Sequence, residues 1–193
     1  MFDRLLSSIA RALDEAGISY MVIGGQAVLL YGEPRLTRDI DITLGIDASA
    51  LDRLLVLAHR LGLQSAVKDT AAFVSKTNVF PASDPASGIR VDFIFSFTPY
   101  EAAAIGRTVS RTLDGHPVHY AAVEDVIIHK LFAGRARDLE DIRGILRRQP
   151  ELDRAYLEHW LSELTGTNGR NLWREYLAVR EETDRFLQGG RQG

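Results

Sequence analysis

Asp39 and Asp41 stand one residue apart in the segment Arg38-Asp39-Ile40-Asp41-Ile42-Thr43-Leu44, downstream of a Gly24-Gly25 pair. Apolar residues at 40, 42 and 44 alternate with polar ones at 39, 41 and 43, the period-2 pattern of a half-buried strand. Residues i and i+2 of a strand share a face, so the two carboxylates project together, ~6–7 Å apart. Like charges that close repel unless a cation, a proton or a basic partner holds them. A hard divalent cation such as Mg²⁺ takes one or two such carboxylates together with substrate phosphates. The plainer alternative is an edge strand with a wet polar face.

Gly24-Gly25 follows the apolar run Tyr20-Met21-Val22-Ile23 and precedes a short helical segment. Glycine permits close backbone approach, and a helix N-terminus turns unpaired N–H groups outward, so the pair suits a phosphate seat. Alone it would mark a tight turn; its place just ahead of two carboxylates gives it meaning. A third carboxylate comes from Arg90-Val91-Asp92-Phe93-Ile94-Phe95, where Asp92 interrupts an apolar strand. An aspartate there is costly without a partner. It either completes a triad for one or two divalent ions or pairs with Arg90 or a backbone donor.

The elements that must position these residues are legible in outline. Residues 3–16 read as an amphipathic helix stopped by Gly17, residues 19–23 as a buried strand and residues 26–31 as a brief helix closed by Gly32. A helix is expected over 48–61, strands over 72–79 and 89–97, and between them a Pro/Ser/Asp-rich loop over 81–88. Asp114-Gly115 within 107–120 signals a hairpin. From residue 122 onward the pattern is helical, over 123–132, 139–146, 152–164 and 172–187, with breaks at Pro150 and at 165–169. The fold class is therefore α+β, a mixed sheet flanked by helices. The expected domains are a core over 1–121, a helical region over 122–187 and a tail over 188–193.

Composition bounds the function without naming it. A chain of 193 residues with 46% hydrophobic and 25% charged residues is ordinary for one globular domain with a helical appendage. No apolar run reaches membrane-spanning length, so no membrane partner is expected. The absence of cysteine excludes disulfides, thiolate metal sites and cysteine nucleophiles, and fits a cytoplasmic location. A net charge of −3 argues against a whole-surface nucleic-acid binder but permits a local basic groove. The histidines share no metal-ligand spacing.

The order Gly24-Gly25, Asp39-Ile40-Asp41 and a later Asp92 between apolar residues resembles the nucleotidyltransferase superfamily with the polymerase-β-type fold. Arg35-Leu36-Thr37-Arg38-Asp39 and the stretch from Glu124-Asp125 through Lys130 to Arg135, Arg137, Asp138 and Asp141 look like its AbiEii/AbiGii toxin-like branch. The resemblance spans about residues 18–146. It implies an enzyme that moves an NMP from an NTP to a hydroxyl. Asp39, Asp41 and Asp92 would be catalytic residues holding Mg²⁺ in a two-ion site, with Mn²⁺ as a substitute. Lys130 would be a fourth catalytic residue, contacting the triphosphate, joined by Gly24 and Gly25. Arg35 and Arg38 would contact phosphate or neutralise the acids. Arg135, Arg137, Asp138 and Asp141 would form either an ion-pair network or a substrate-binding group.

The acceptor stays open. The branch suggests a toxin acting on RNA, notably a tRNA 3′ end, with a cognate antitoxin protein as partner. Antibiotic-type small molecules and proteins are the other acceptors used by such enzymes. A non-catalytic nucleotide- or partner-binding module is the alternative from a different class.

Overall fold

The structure is a computed structural model in which residues 2–34, 36–37, 39–166 and 169–189 are described. The chain divides into two compact units, one from 1–26 and 36–122, the other from 27–35 and 123–193.

In the first unit β1 (Tyr20–Val22), β2 (Asp39–Leu44), β3 (Gln64–Ser65), β4 (Val79–Ser83), β5 (Arg90–Phe95), β6 (Val109–Leu113) and β7 (His116–Tyr120) form one sheet, ordered β3-β4-β5-β2-β1-β7-β6. Two pairings, β2 with β5 and β1 with β7, are parallel, and the rest are antiparallel. The expected mixed sheet is therefore present. Helices α1 (Phe2–Glu15), α3 (Leu51–Arg60), α4 (Thr70–Thr77) and α5 (Pro99–Ile105) accompany it. Leu6, Ile9 and Leu13 of α1 are fully buried, as are Ile40, Ile42, Leu44, Val91, Phe93 and Phe95 of the two central strands. Burial of such side chains stabilises by roughly 1.5–3 kcal/mol each. The turn Asp114-Gly115 has positive φ at both residues (47° and 77°), the geometry that two-residue hairpins favour.

Three expectations need correction. Residues 70–77 form helix α4, where a strand was expected over 72–79. The Asp69 carboxylate accepts from the Ala72 N–H at 3.0 Å, and Asn78 closes the helix in a left-handed conformation (φ 54°). A short apolar run does not distinguish strand from helix, and the cap decided it. The expected loop from Pro81 is instead the middle of β4, whose Pro81 lies opposite Asp92. Proline usually argues against an inner strand because it lacks a donor. Here its carbonyl still accepts from the Ala66 N–H at 2.9 Å. Finally, α2 (Gly24–Tyr31) begins at Gly24 itself, so the glycine pair forms its first turn and does not precede it. Helix α5 is too short to announce itself by periodicity; Glu101 fixes its start by accepting from the Thr98 N–H at 2.9 Å.

The second unit contains α6 (Val123–Ala133), α7 (Ala136–Arg148), α8 (Arg154–Glu163) and α9 (Leu172–Gly189), together with the part of α2 from Ala27. Ile127, Ile128, Leu131, Ile142, Ile145, Leu157, Leu161 and Leu172 are its fully buried centre. The buried acids Glu124 and Asp125 at the start of α6 hold α8: Glu124 accepts from the Asp153 N–H at 2.9 Å and Asp125 from the Tyr156 hydroxyl at 2.8 Å.

His129 of α6 is half-buried with its ring nitrogen Nε2 enclosed, and its pKa is lowered to about 4 by burial first and by the neighbouring Lys130 charge second. The folded state thus holds this imidazole neutral while the unfolded chain protonates it near 6.5. Stability from this source is intact above pH 6.5 and is lost as the pH falls from 6.5 to 4. The loss should amount to roughly 3 kcal/mol. Thermal melts recorded across that range should show a declining Tm for the wild type and a flatter profile for His129→Leu.

Candidate active site

The carboxylate face of the first unit is set by strand register. Parallel pairing of β2 with β5 places Asp41 opposite Asp92 and Asp39 opposite Arg90. Neighbouring strands lie about 4.8 Å apart, and paired residues share a face. Asp39, Asp41, Asp92 and Arg90 therefore project on one side, while Ile40, Ile42, Val91 and Phe93 fill the other and are fully buried. Asp39 is exposed, whereas Asp41 and Asp92 are half-buried.

Gly24 meets this face directly. The Ile23 N–H donates to the Asp41 carbonyl at 2.9 Å, extending the β1–β2 ladder by one bond. Gly24 comes next, with φ +64°, and a Cβ built there would sit 2.8 Å from Asp41 Cγ. Both facts require glycine: the backbone is left-handed, and the Asp41 carboxylate lies against the first residue of α2. Gly25 is buried in the same first turn.

Asp92 does not stand alone. Arg90 donates Nε to Asp92 Oδ1 at 2.9 Å and places a terminal nitrogen 2.9 Å from Oδ2. The hydrogen bond and charge of Asp92, followed by the more distant charges of Asp39 and Asp41, raise the Arg90 pKa further. Of the two readings open for Asp92, the Arg90 pair describes this conformation. No cluster of three or more metal-ligating side chains is assembled among the described residues. The donor chemistry still fits a hard divalent ion. Three carboxylates share one face, two of them on directly paired residues, and Asp92 would have to exchange Arg90 for the ion. Arg35 and Arg38 lie outside the described residues.

In the second unit Lys130 is buried, with 5% exposure, and does not extend along a helix surface into solvent. Its Nζ lies 2.8 Å from Asp138 Oδ1 and 2.8 Å from Asp141 Oδ2. The i,i+3 spacing of the two aspartates on α7 aims both at the same ammonium. Arg135 adds Nε to Asp138 Oδ2 at 2.6 Å, and the Arg135 N–H donates to that same oxygen at 3.2 Å, closing the start of α7. Burial alone would raise the Asp138 pKa, but the hydrogen bonds from Arg135 and Lys130 outweigh it and hold the carboxyl below its ordinary value. Of the expected residues, Asp39, Asp41, Asp92, Gly24 and Gly25 thus belong to the first unit and Lys130, Arg135 and Asp138 to the second. Sequence reasoning undervalued Arg90 and Asp141. The signal for Arg90 was its i,i+2 spacing from Asp92, which puts both on one strand face.

Two substitutions probe these arrangements by thermal unfolding. Gly24→Ala must place a side chain in a left-handed backbone and against Asp41, which should cost at least about 1–2 kcal/mol. Lys130→Met takes the shared ammonium away from two buried carboxylates and should cost about 3–5 kcal/mol. Adding Asp138→Asn and Asp141→Asn to Lys130→Met should recover part of that loss.

Similarity to known proteins places the fold and the family. No curated protein sequence matches the chain. Among solved structures the fold is similar to that of the antibiotic-resistance factor ANT(2″)-Ia in complex with adenylyl-2″-tobramycin. The TM-score is 0.55 at 16% identity, covering 96% of this chain and 98% of that one. It is also similar to an antigenic nucleotidyltransferase-like protein from Paracoccidioides brasiliensis (TM-score 0.53, 18% identity, 92% of each chain). A third similar structure is the lincosamide antibiotic adenylyltransferase LnuA bound to lincomycin (TM-score 0.51, 16% identity, 74% of this chain and 94% of that one). At these identities the likeness is one of fold. The family model described as nucleotidyl transferase AbiEii toxin, type IV TA system, matches residues 4–188, nearly the whole chain. With the strand-borne aspartates and the glycine-initiated helix in the order anticipated from the sequence, this match settles the assignment: the chain belongs to the AbiEii family of nucleotidyltransferases.

Proposed function

We propose that the protein transfers an NMP from an NTP to a hydroxyl of an RNA acceptor, with a tRNA 3′ end as the favoured target, in a Mg²⁺-dependent reaction. The observation that carries the reaction is the shared face of Asp39, Asp41 and Asp92 beside the Gly24-initiated helix. The family description is that of a toxin, and RNA is the acceptor assigned to that role here.

In this reading Asp39, Asp41 and Asp92 are the metal-holding catalytic residues. A bound divalent ion there would neutralise phosphate charge and lower the barrier to hydroxyl attack. The acceptor oxygen attacks the α-phosphorus, a new P–O bond forms, the α–β bridging P–O bond breaks and pyrophosphate leaves. Asp92 takes the hydroxyl proton. The Gly24 and Gly25 backbone seats phosphate oxygens at the start of α2. Such transfers depend chiefly on positioning and on neutralising oxyanion charge. Arg35 and Arg38 are the proposed cations for the triphosphate, while Lys130, Arg135, Asp138 and Asp141 form the ion-pair network of the second unit. The first unit then serves as the catalytic core and the C-terminal helices as its helical region. The setting is cytoplasmic, and a cognate antitoxin protein restrains the activity.

Incubation of the protein with each labelled NTP, Mg²⁺ and total RNA tests the reading. Label on RNA supports it; label only on an added antibiotic or on protein replaces the acceptor; label on nothing would overturn transfer altogether. Asp41→Asn should abolish incorporation, a loss of at least two orders of magnitude. Because it removes one of three crowded charges, it should not lower Tm. An active Asp41→Asn enzyme would remove Asp41 from the site.

A further inference from the structure

We infer that Arg90 is the internal counter-cation of the carboxylate face, holding Asp92 while no divalent ion is bound and passing to the nucleotide phosphates when the ion claims Asp92. This inference rests on the assignment of Asp92 as a metal ligand. Three observations carry it. The guanidinium grips both Asp92 oxygens, at 2.9 Å and 2.9 Å, so one lone pair of each is committed and a full positive charge stands where a metal ion would approach while the pair is closed. Arg90 lies opposite Asp39 in the β2–β5 register and two residues before Asp92, so its charge stands among the carboxylates and not at their margin. The two partners are also unequally enclosed: the Arg90 side chain is 58% exposed and that of Asp92 18%.

The inequality decides which partner moves. Asp92 is carried by a central strand whose neighbouring residues are buried, whereas Arg90 can swing on a long, solvated stem. An ion pair with one exposed member is weak enough to open, since water and salt compete for it. Guanidinium never deprotonates, so displacement from Asp92 leaves a full positive charge seeking an anion. Its planar fork matches phosphate oxygens as well as carboxylate oxygens. The same side chain therefore opposes capture of the ion alone and favours capture of the ion together with a triphosphate. Arg90 is a positioning residue towards Asp92 and a phosphate ligand towards the substrate.

Mn²⁺ binding to the full chain, followed by electron paramagnetic resonance with and without a non-hydrolysable NTP analogue, tests this. Without nucleotide, Arg90→Gln should bind Mn²⁺ roughly three- to tenfold more tightly than wild type, the scale of one weak ion pair. With Mn²⁺ saturating, it should bind the analogue more weakly by a similar factor. Arg90→Lys, which keeps the charge and loses the fork, should fall between them on both measures and guards against a misfolded Gln variant. Asp92→Asn should weaken Mn²⁺ binding. If Asp92→Asn weakens it while Arg90→Gln leaves it unchanged or lower, the counter-cation role is wrong and the metal site stands. If Asp92→Asn has no effect, the metal-site assignment itself fails.

Discussion

Parallel pairing of β2 with β5 is the constraint on which the first unit's chemistry depends. A sheet with one buried face must keep its register, because a slip of one residue would turn every apolar side chain outward. Ile40, Ile42 and Leu44 on β2 and Val91, Phe93 and Phe95 on β5 are all fully buried, so the register that encloses them is strongly held. The same register puts Asp41 opposite Asp92 and Asp39 opposite Arg90. Hydrophobic burial on one side thereby enforces the crowding of carboxylates on the other. The repulsion among them is the cost of that arrangement, and Arg90 relieves part of it.

The second unit manages charge in another way. Lys130 is enclosed with Asp138 and Asp141, each 2.8 Å away, and Arg135 supplements the aspartate at the start of α7. A buried ion cluster of this kind is weak evidence for stability but specifies an arrangement closely, since removing one member leaves a buried charge with fewer partners. Glu124 and Asp125 act similarly on α8. Part of the acidic pattern that resembles the family thus has an architectural use, holding helix ends where backbone donors would otherwise lack partners.

What could be read from the sequence follows from which interactions are local. The alternation around Asp39 and Asp41 gave the strand and its polar face, and Asp114-Gly115 gave the hairpin, because both depend on neighbours in sequence. The order of motifs likewise placed the chain in its family. Non-local facts were out of reach. Nothing in the composition around Pro81 shows that β3 and β5 flank it, and residues 70–77 became a helix through the Asp69 cap where the apolar run suggested a strand. Gly24 was singled out for a phosphate, yet its strictest requirement comes from the Asp41 carboxylate pressed against it, a contact between the start of a helix and a neighbouring strand. For Asp92 the sequence left the Arg90 partner open, because spacing reveals who shares a face and not which charges meet.

The ends of the sheet bear on how other proteins can approach it. One edge is β3, only two residues long, and the other is β6, whose central residues Ser110, Arg111 and Thr112 are exposed and polar. Short or charged edges give an incoming strand little backbone to pair with. The sheet of this protein is therefore a poor template for strand addition. A protein that silences or recruits it must read side chains on its surface, so its recognition can be altered by point substitutions without touching the backbone ladder.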